Sequence, residues 1–335
     1  MTTGEAGSRQ NDDHPPKRRA RWQIWKSRYF TLVSVLIITF LFGAKSSEYF
    51  LTSENLQTAL TTLFVEFAIL TIGQTLVILV RGIDLSLAGT AGLSAVTIGF
   101  AYTQGVNIWV ALALGLTVGA LCGTMNGYLV TFFRAPPMIA TLGSGLLYLG
   151  IAYGATRGQP YSGFPTAFQS LGHGQVGPVP IQLIILIIVT VLIQIALSRT
   201  RFGRYVYAIG GNPVAARFSG IRVNRVVVTL YATSGLLAAL TGAIATARFF
   251  SADASIAEGA ELRTITAALL GGVSITGGEG TVARAVLGML VIAILRNAMT
   301  LRGITDTVQH TVTAVLLLVV VIVATGLARR RAEVE

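Results

Sequence analysis

The chain has 335 residues, of which 53% are apolar, 12% are charged and 37 are glycine, and its mean hydropathy is +0.69. A soluble globular domain carries about 25% charged residues, so a disordered chain, a soluble nucleic-acid binder and an ordinary cytosolic enzyme are excluded. An all-α polytopic integral membrane protein remains, because apolar runs this frequent would leave large exposed patches in water.

Residues 1–28 are polar and basic, with Arg9, Lys17, Arg18, Arg19, Arg21, Lys26 and Arg28. They read as a cytoplasmic N-terminal tail, with Trp22, Trp25 and Tyr29 suited to an interfacial aromatic belt. A secretory signal fits poorly, since the apolar stretch starts late and no small-residue cleavage site follows. A spanning helix needs about 20 residues. The transmembrane region, 29–327, then divides into about ten segments: 28–44, 56–80, 85–102, 107–133, 137–155, 181–197, 226–247, 264–278, 282–300 and 309–327. Residues 156–180 are rich in Gly and Pro and predict an irregular exterior loop. Residues 328–335 form a second basic tail. Ten crossings put both termini on one side, which then holds 19 of the 25 Lys/Arg. The positive-inside rule makes that side the cytoplasm, and in a bacterium the membrane is the inner, plasma membrane.

Two segments predict broken or re-entrant backbone rather than plain spans. One is Arg81–Thr90, where a charge and two glycines interrupt an apolar run; the other is 264–283, with Gly271, Gly272, Gly277, Gly278 and Gly280. Irregular backbone at membrane depth is tolerated only where protein or a water-filled cavity satisfies it. The stretches Leu79–Ser86 and Leu269–Thr276 also align residue for residue, which hints at two related halves. Gly115, Gly119, Gly123 and Gly127 recur every four residues and predict a smooth face for close helix packing.

Catalytic and nucleotide signatures are missing. There is no GxxxxGK(S/T) cradle, and the GGEG run at 277–280 has no following lysine. No GxSxG elbow or HExxH helix occurs. Cys122 is the only cysteine, and His14, His173 and His310 lack metal-ligand spacing, so no bound metal or cofactor is expected. Ionisable groups inside spans mark pathways. Glu66 reads as mid-span, with a pathway role and a hydrogen-bonded helix contact weighed equally. Asp84 sits at the break, where capping the next helix through the Ser86 and Leu87 N–H groups ranks first and pathway lining second. Ser86, Thr71, Gln74, Ser94, Asn126, Thr141, Ser144, Gly271 and Gly272 complete the candidate route or gate.

The loop 198–226 carries six arginines. Gly210, Gly211, Asn212 and Pro213 signal a turn, Pro213 suits a first helical position, and a short amphipathic helix runs through Ala215, Ala216 and Arg217 to Gly220. A helix there has no membrane to cross, and docking into a partner's groove is the recognition mode it fits.

These motifs together resemble the ribose-type (monosaccharide) permease subunits of ATP-binding cassette importers. The matching stretches are Thr75–Leu79 with Gly82–Ser86, Thr200–Arg204, Tyr207–Arg217 with Ser219–Ile221, and Leu270–Ser274 with Gly277–Gly280, in family order between about residues 56 and 327. Arg81 and Arg263 depart from the family pattern. The resemblance implies a permease moving a monosaccharide or similar polar solute by alternating access. It also implies two cytoplasmic ATPase subunits holding ATP and Mg, an exterior solute-binding protein, and a second permease copy or paralogue. The GGNPVAAR segment would be the coupling helix. The rival reading is an ion-coupled secondary carrier using Glu66 and Asp84.

Overall fold

Each of the ten apolar segments contains a described helix, but the helix in 264–278 is too short to cross a bilayer unaided. The computed structural model describes residues 18–59 and 64–332, with side chains at 32–59 and 64–322. Residues 1–17 and 333–335, parts of the two tails, lie outside the described residues. The first helix, α1 (Arg18–Ser46), starts inside the stretch read as a tail. The expected span 56–80 holds α2 (Ser53–Thr58) and α3 (Glu66–Leu79), and residues 60–63 between them lie outside the described residues. Then come α4 (Leu87–Thr103), α5 (Ile108–Thr131) and α6 (Pro137–Thr156). The loop 156–180, expected to be exterior, is more ordered than its composition predicts. It contains α7 (Thr166–His173) and two short ribbons, Tyr161–Ser162 with Ser251–Ala252 and Gln175–Val176 with Val179–Pro180.

The second half holds α8 (Ile181–Arg199), α9 (Arg201–Gly211), α10 (Pro213–Phe218), α11 (Val223–Phe249), α12 (Ala260–Leu270), α13 (Val282–Leu301) and α14 (Asp306–Ala332). Five of the described helices (α5, α6, α8, α11 and α13) are long and apolar enough to cross a membrane. The 11 residues of α12 reach about 16 Å at 1.5 Å each, half of a hydrocarbon core about 30 Å thick. The expected span 264–278 is therefore half helix and half irregular chain. Hydropathy could not see this, because residues past Leu270 stay apolar or small while leaving the helix.

The central post is α11. It packs against α5, α3, α4 and α7, and 67% of its most apolar stretch is buried, against 17% for α8. The glycine face of α5 makes this packing possible. A Cβ at Gly119 would strike Ala239 and the Gly235 carbonyl, and one at Gly123 would strike the Tyr231 carbonyl. Gly235 on α11 faces Gly119 in return. The backbones approach so closely that only hydrogen fits. Gly123→Val should therefore sharply reduce the monodisperse fraction recovered in detergent by size-exclusion chromatography. Gly150→Val on α6, where a Cβ meets nothing within 4 Å, should not.

Candidate functional site

The two irregular segments end their helices in the same way. At the close of α3, Arg81 N donates to Ile78 O (2.9 Å) and Gly82 N to Val77 O (3.0 Å). At the close of α12, Gly272 N donates to Leu269 O (2.8 Å) and Val273 N to Ala268 O (3.0 Å). Both are Schellman turns with one left-handed residue after the helix: Arg81 at φ 67° and Gly272 at φ 78°. The structural register pairs Arg81 with Gly272, one residue off the alignment of the two sequences. At the first break an arginine adopts a conformation that costs a side-chain-bearing residue about 1–2 kcal/mol; at the second, glycine adopts it freely.

The chain between Arg81 and Leu87 is non-helical, and its Asp84 and Ser86 side chains are fully enclosed. Asp84 Oδ1 accepts from Ser86 N (3.0 Å) and from Ser86 Oγ (2.6 Å). Its Oδ2 accepts from Ser234 Oγ on α11 (3.0 Å). Asn126 Nδ2 on α5 donates to Ser86 Oγ (2.7 Å), and Tyr148 on α6 places its hydroxyl 3.2 Å from Asn126 Oδ1 and 3.0 Å from Cys122 O. Thr141 Oγ1 accepts from Leu85 N at 3.0 Å. One buried carboxylate thus joins the break to α11, α5 and α6. Asp84 bonds Ser86 N as expected but not Leu87 N; because Ser86 is the N-cap residue of α4 and the helix has no side-chain cap bond, this is a turn contact, and Ser234, 150 residues away, is the other partner.

Other candidates behave differently. Glu66 is the first residue of α3, and helical backbone precedes it at Phe64 and Val65. Its carboxylate is gripped by Arg248 at the end of α11, Nε to Oε1 at 2.7 Å and Nη2 to Oε2 at 2.9 Å. Such a two-point pair is directional and strong. The pair makes Glu66 a contact between α3 and α11. Glu66→Gln leaves the half-buried Arg248 without its anion, a cost of about 3–5 kcal/mol. It should lower the thermal unfolding midpoint in detergent, and the double variant Glu66→Gln, Arg248→Met should recover part of the loss.

Thr71 bonds back to Phe67 O in its own helix, and Ser144 to Thr141 O. Gln74 is fully buried with neither amide atom hydrogen-bonded, and Ser94 Oγ is likewise without a partner. Gly271 and Gly272 do not join the Asp84 cluster. A Cβ at Gly271 would collide with the Arg284 carbonyl, so the glycine serves the packing of α12 on α13.

The loop 198–226 folds as two helices where one was expected. Gly210 and Gly211 belong to α9, and the turn is reduced to Asn212. Asn212 Oδ1 caps α10 by accepting from Val214 N and Ala215 N, both at 3.0 Å. Gly220, at φ 79°, ends it. Ala216 is buried at 4% exposure, whereas Val214 is 63% and Phe218 89% exposed. Arg217 Nη2 donates to Asn224 Oδ1 at 3.3 Å.

This loop meets both breaks at one junction. Arg81 Nε donates to Gly210 O at 2.7 Å, and its Nη2 donates to Gly211 O. Gly278 N donates to Leu79 O (3.0 Å), and Tyr207 Oη to Gly280 O (2.9 Å). A cavity of about 280 Å³ opens beside the junction, lined by Gly82, Arg134, Pro213, Arg217 and Tyr231 among others. The arrangement is a jointed polar core tied to a surface helix.

Residues 56–324 match the family described as branched-chain amino acid transport system / permease component. The chain belongs to this family of permeases. It is 36% identical to the ribose import permease protein RbsC of Escherichia coli (strain K12), over 91% of this chain and 96% of that one. To the ribose import permease protein RbsC of Bacillus subtilis (strain 168) it is 38% identical, over 75% of this chain and 78% of the relative. To the autoinducer 2 import system permease protein LsrD of Klebsiella pneumoniae it is 32% identical, over 89% and 90%. No solved structure matches. The chain is therefore a multi-pass membrane permease, a component of a transport system and not an enzyme.

Ser234, Tyr148, Arg248 and Tyr207 were missed by the sequence reading. Tyr148 carried a faint signal as a hydroxyl in an apolar run. Tyr207 stood in a family-matching stretch without an assigned role, and none of the three pairings could be read, since each meets its partner across 73 or more residues.

Proposed function

We propose that this permease imports a monosaccharide or a similar small polar solute by alternating access, driven by ATPase subunits that dock on α10. The single observation that carries the reading is α10 itself. Val214 and Phe218, one turn apart, offer an exposed apolar pair on a basic loop, and the residues just before this helix are bonded to the α3–α4 break. An exposed aromatic of this kind is a natural anchor for a partner groove.

Two ATPase subunits holding ATP and Mg, an exterior solute-binding protein and a second permease copy or paralogue complete the importer. The chain itself carries no cofactor. Both termini and the loop 198–226 face the cytoplasm, on the strength of the arginine distribution. Asp84, Ser86 and Asn126 form the gate that changes when α10 moves. The relatives with ribose in their names make ribose the first solute to try, and autoinducer 2 the second. An ion-coupled carrier is less well supported, because Glu66 already has Arg248 as its counter-ion.

Uptake into vesicles tests the reading. Complexes with ATPase subunits and binding protein should accumulate solute only with ATP. Accumulation by the permease alone under an ion gradient would reject it.

A further inference from the structure

Arg81 occupies a position whose counterpart at the second break is Gly272. The turn itself does not require an arginine, and a left-handed φ discourages one. The side chain accounts for its presence. It folds back onto α9 and donates to the carbonyls of Gly210 and Gly211, the last two residues of that helix. Helix C-terminal carbonyls lack intrahelical partners and carry partial negative charge, so a guanidinium fits them in both geometry and sign. Asn212, the cap of α10, follows directly. In the other direction only Gly82 and Ile83 separate Arg81 from Asp84.

The direct packing of α9 on the end of α3 resists compression only, and the other tie between them runs through the second break, from Tyr207 Oη to Gly280 O and from Gly278 N to Leu79 O. A Cβ at Gly210 would strike Leu79 O and Gly278 N, so α9 already abuts the end of α3. Abutting surfaces resist compression but part freely under tension. Two charge-assisted hydrogen bonds from one rigid guanidinium also resist separation.

We propose that Arg81 is a coupling clasp, a positioning residue that makes the α9–α10 unit and the α3–α4 break move together when α10 is pulled as well as when it is pushed. The inference rests on α10 being the docking helix. It assigns the direct pull of the α9–α10 unit on the α3–α4 break to one side chain.

The test uses the whole importer reconstituted with ATPase subunits and binding protein, with radiolabelled ribose as the probe. Arg81→Gly suits the left-handed turn, so the variant should insert normally and keep its thermal midpoint. Its ATP hydrolysis should continue at the wild-type rate, while ribose moved per ATP falls about fivefold or more, the scale of a coupling energy between sites. Arg81→Lys, a point donor that satisfies fewer acceptors at fixed geometry, should fall between the two. Wild-type ribose per ATP in Arg81→Gly overturns the clasp. A lowered midpoint with hydrolysis and transport lost together also overturns it, by making Arg81 a purely structural residue. Failure of the wild-type complex to hydrolyse ATP and move ribose overturns the functional reading instead, and the clasp with it.

Discussion

Replacing Asp84 with Ala should abolish transport. The carboxylate is 1% exposed and accepts three hydrogen bonds, two from Ser86 and one from Ser234. Its removal strands a backbone N–H and two hydroxyl donors in a dry interior, at about 1–3 kcal/mol for each group left unpaired. Ser86 Oγ also holds Asn126, and Asn126 holds Tyr148. The break would thereby lose its registration to α5, α6 and α11 together. Uptake by the assembled complex should fall to background, with a lowered thermal midpoint as the accompanying structural loss. Asp84→Asn separates the two effects. Its amide oxygen still accepts from Ser86, and its amide nitrogen can donate to Ser234 Oγ, so the fold should persist. Transport should then report whether the negative charge itself is needed. Unaltered uptake kinetics in Asp84→Ala would reduce this residue to a dispensable turn-former.

What the sequence disclosed follows from how local each interaction is. Ten apolar stretches were legible because bilayer thickness imposes a length on every span. The glycine face of α5 was legible because a period of four on a helix is a face, and α11 occupies it. The Asp84–Ser86 bond spans two residues and could be anticipated. Its continuation to Ser234 could not, nor could the Glu66–Arg248 pair, which closes 182 residues of chain. The break after α12 was legible in its glycines and not in hydropathy, because hydropathy reports composition whereas the helix end is set by a left-handed glycine. Likewise the alignment of the two breaks was right in kind and one residue out, since Gly271 and Gly272 offer two equally good glycines and only the hydrogen bonds choose between them.

A charge on the outer face of α10 should uncouple transport without disturbing the membrane domain. The sequence placed Ala215 and Ala216 on equal footing; the fold separates them. Ala216 is buried, and its N–H and C=O bond to Asn212 O and Ile221 N. A Glu there would need an unpaired charge inside the loop, and the expected outcome is less folded protein. Ala215 lies on the exposed side, so Ala215→Glu should insert and extract like wild type while losing its ATPase partner on size-exclusion chromatography. Phe218→Ala should act in the same sense. An aromatic anchor in a partner groove contributes about 2 kcal/mol or more, which corresponds to docking about thirtyfold weaker. Because Phe218 is 89% exposed, its truncation removes almost nothing from this chain's own packing. Weaker ATPase association together with unchanged thermal stability would therefore locate the interface on α10. Full ATP-driven uptake in both variants would mean that the motor acts elsewhere on the molecule.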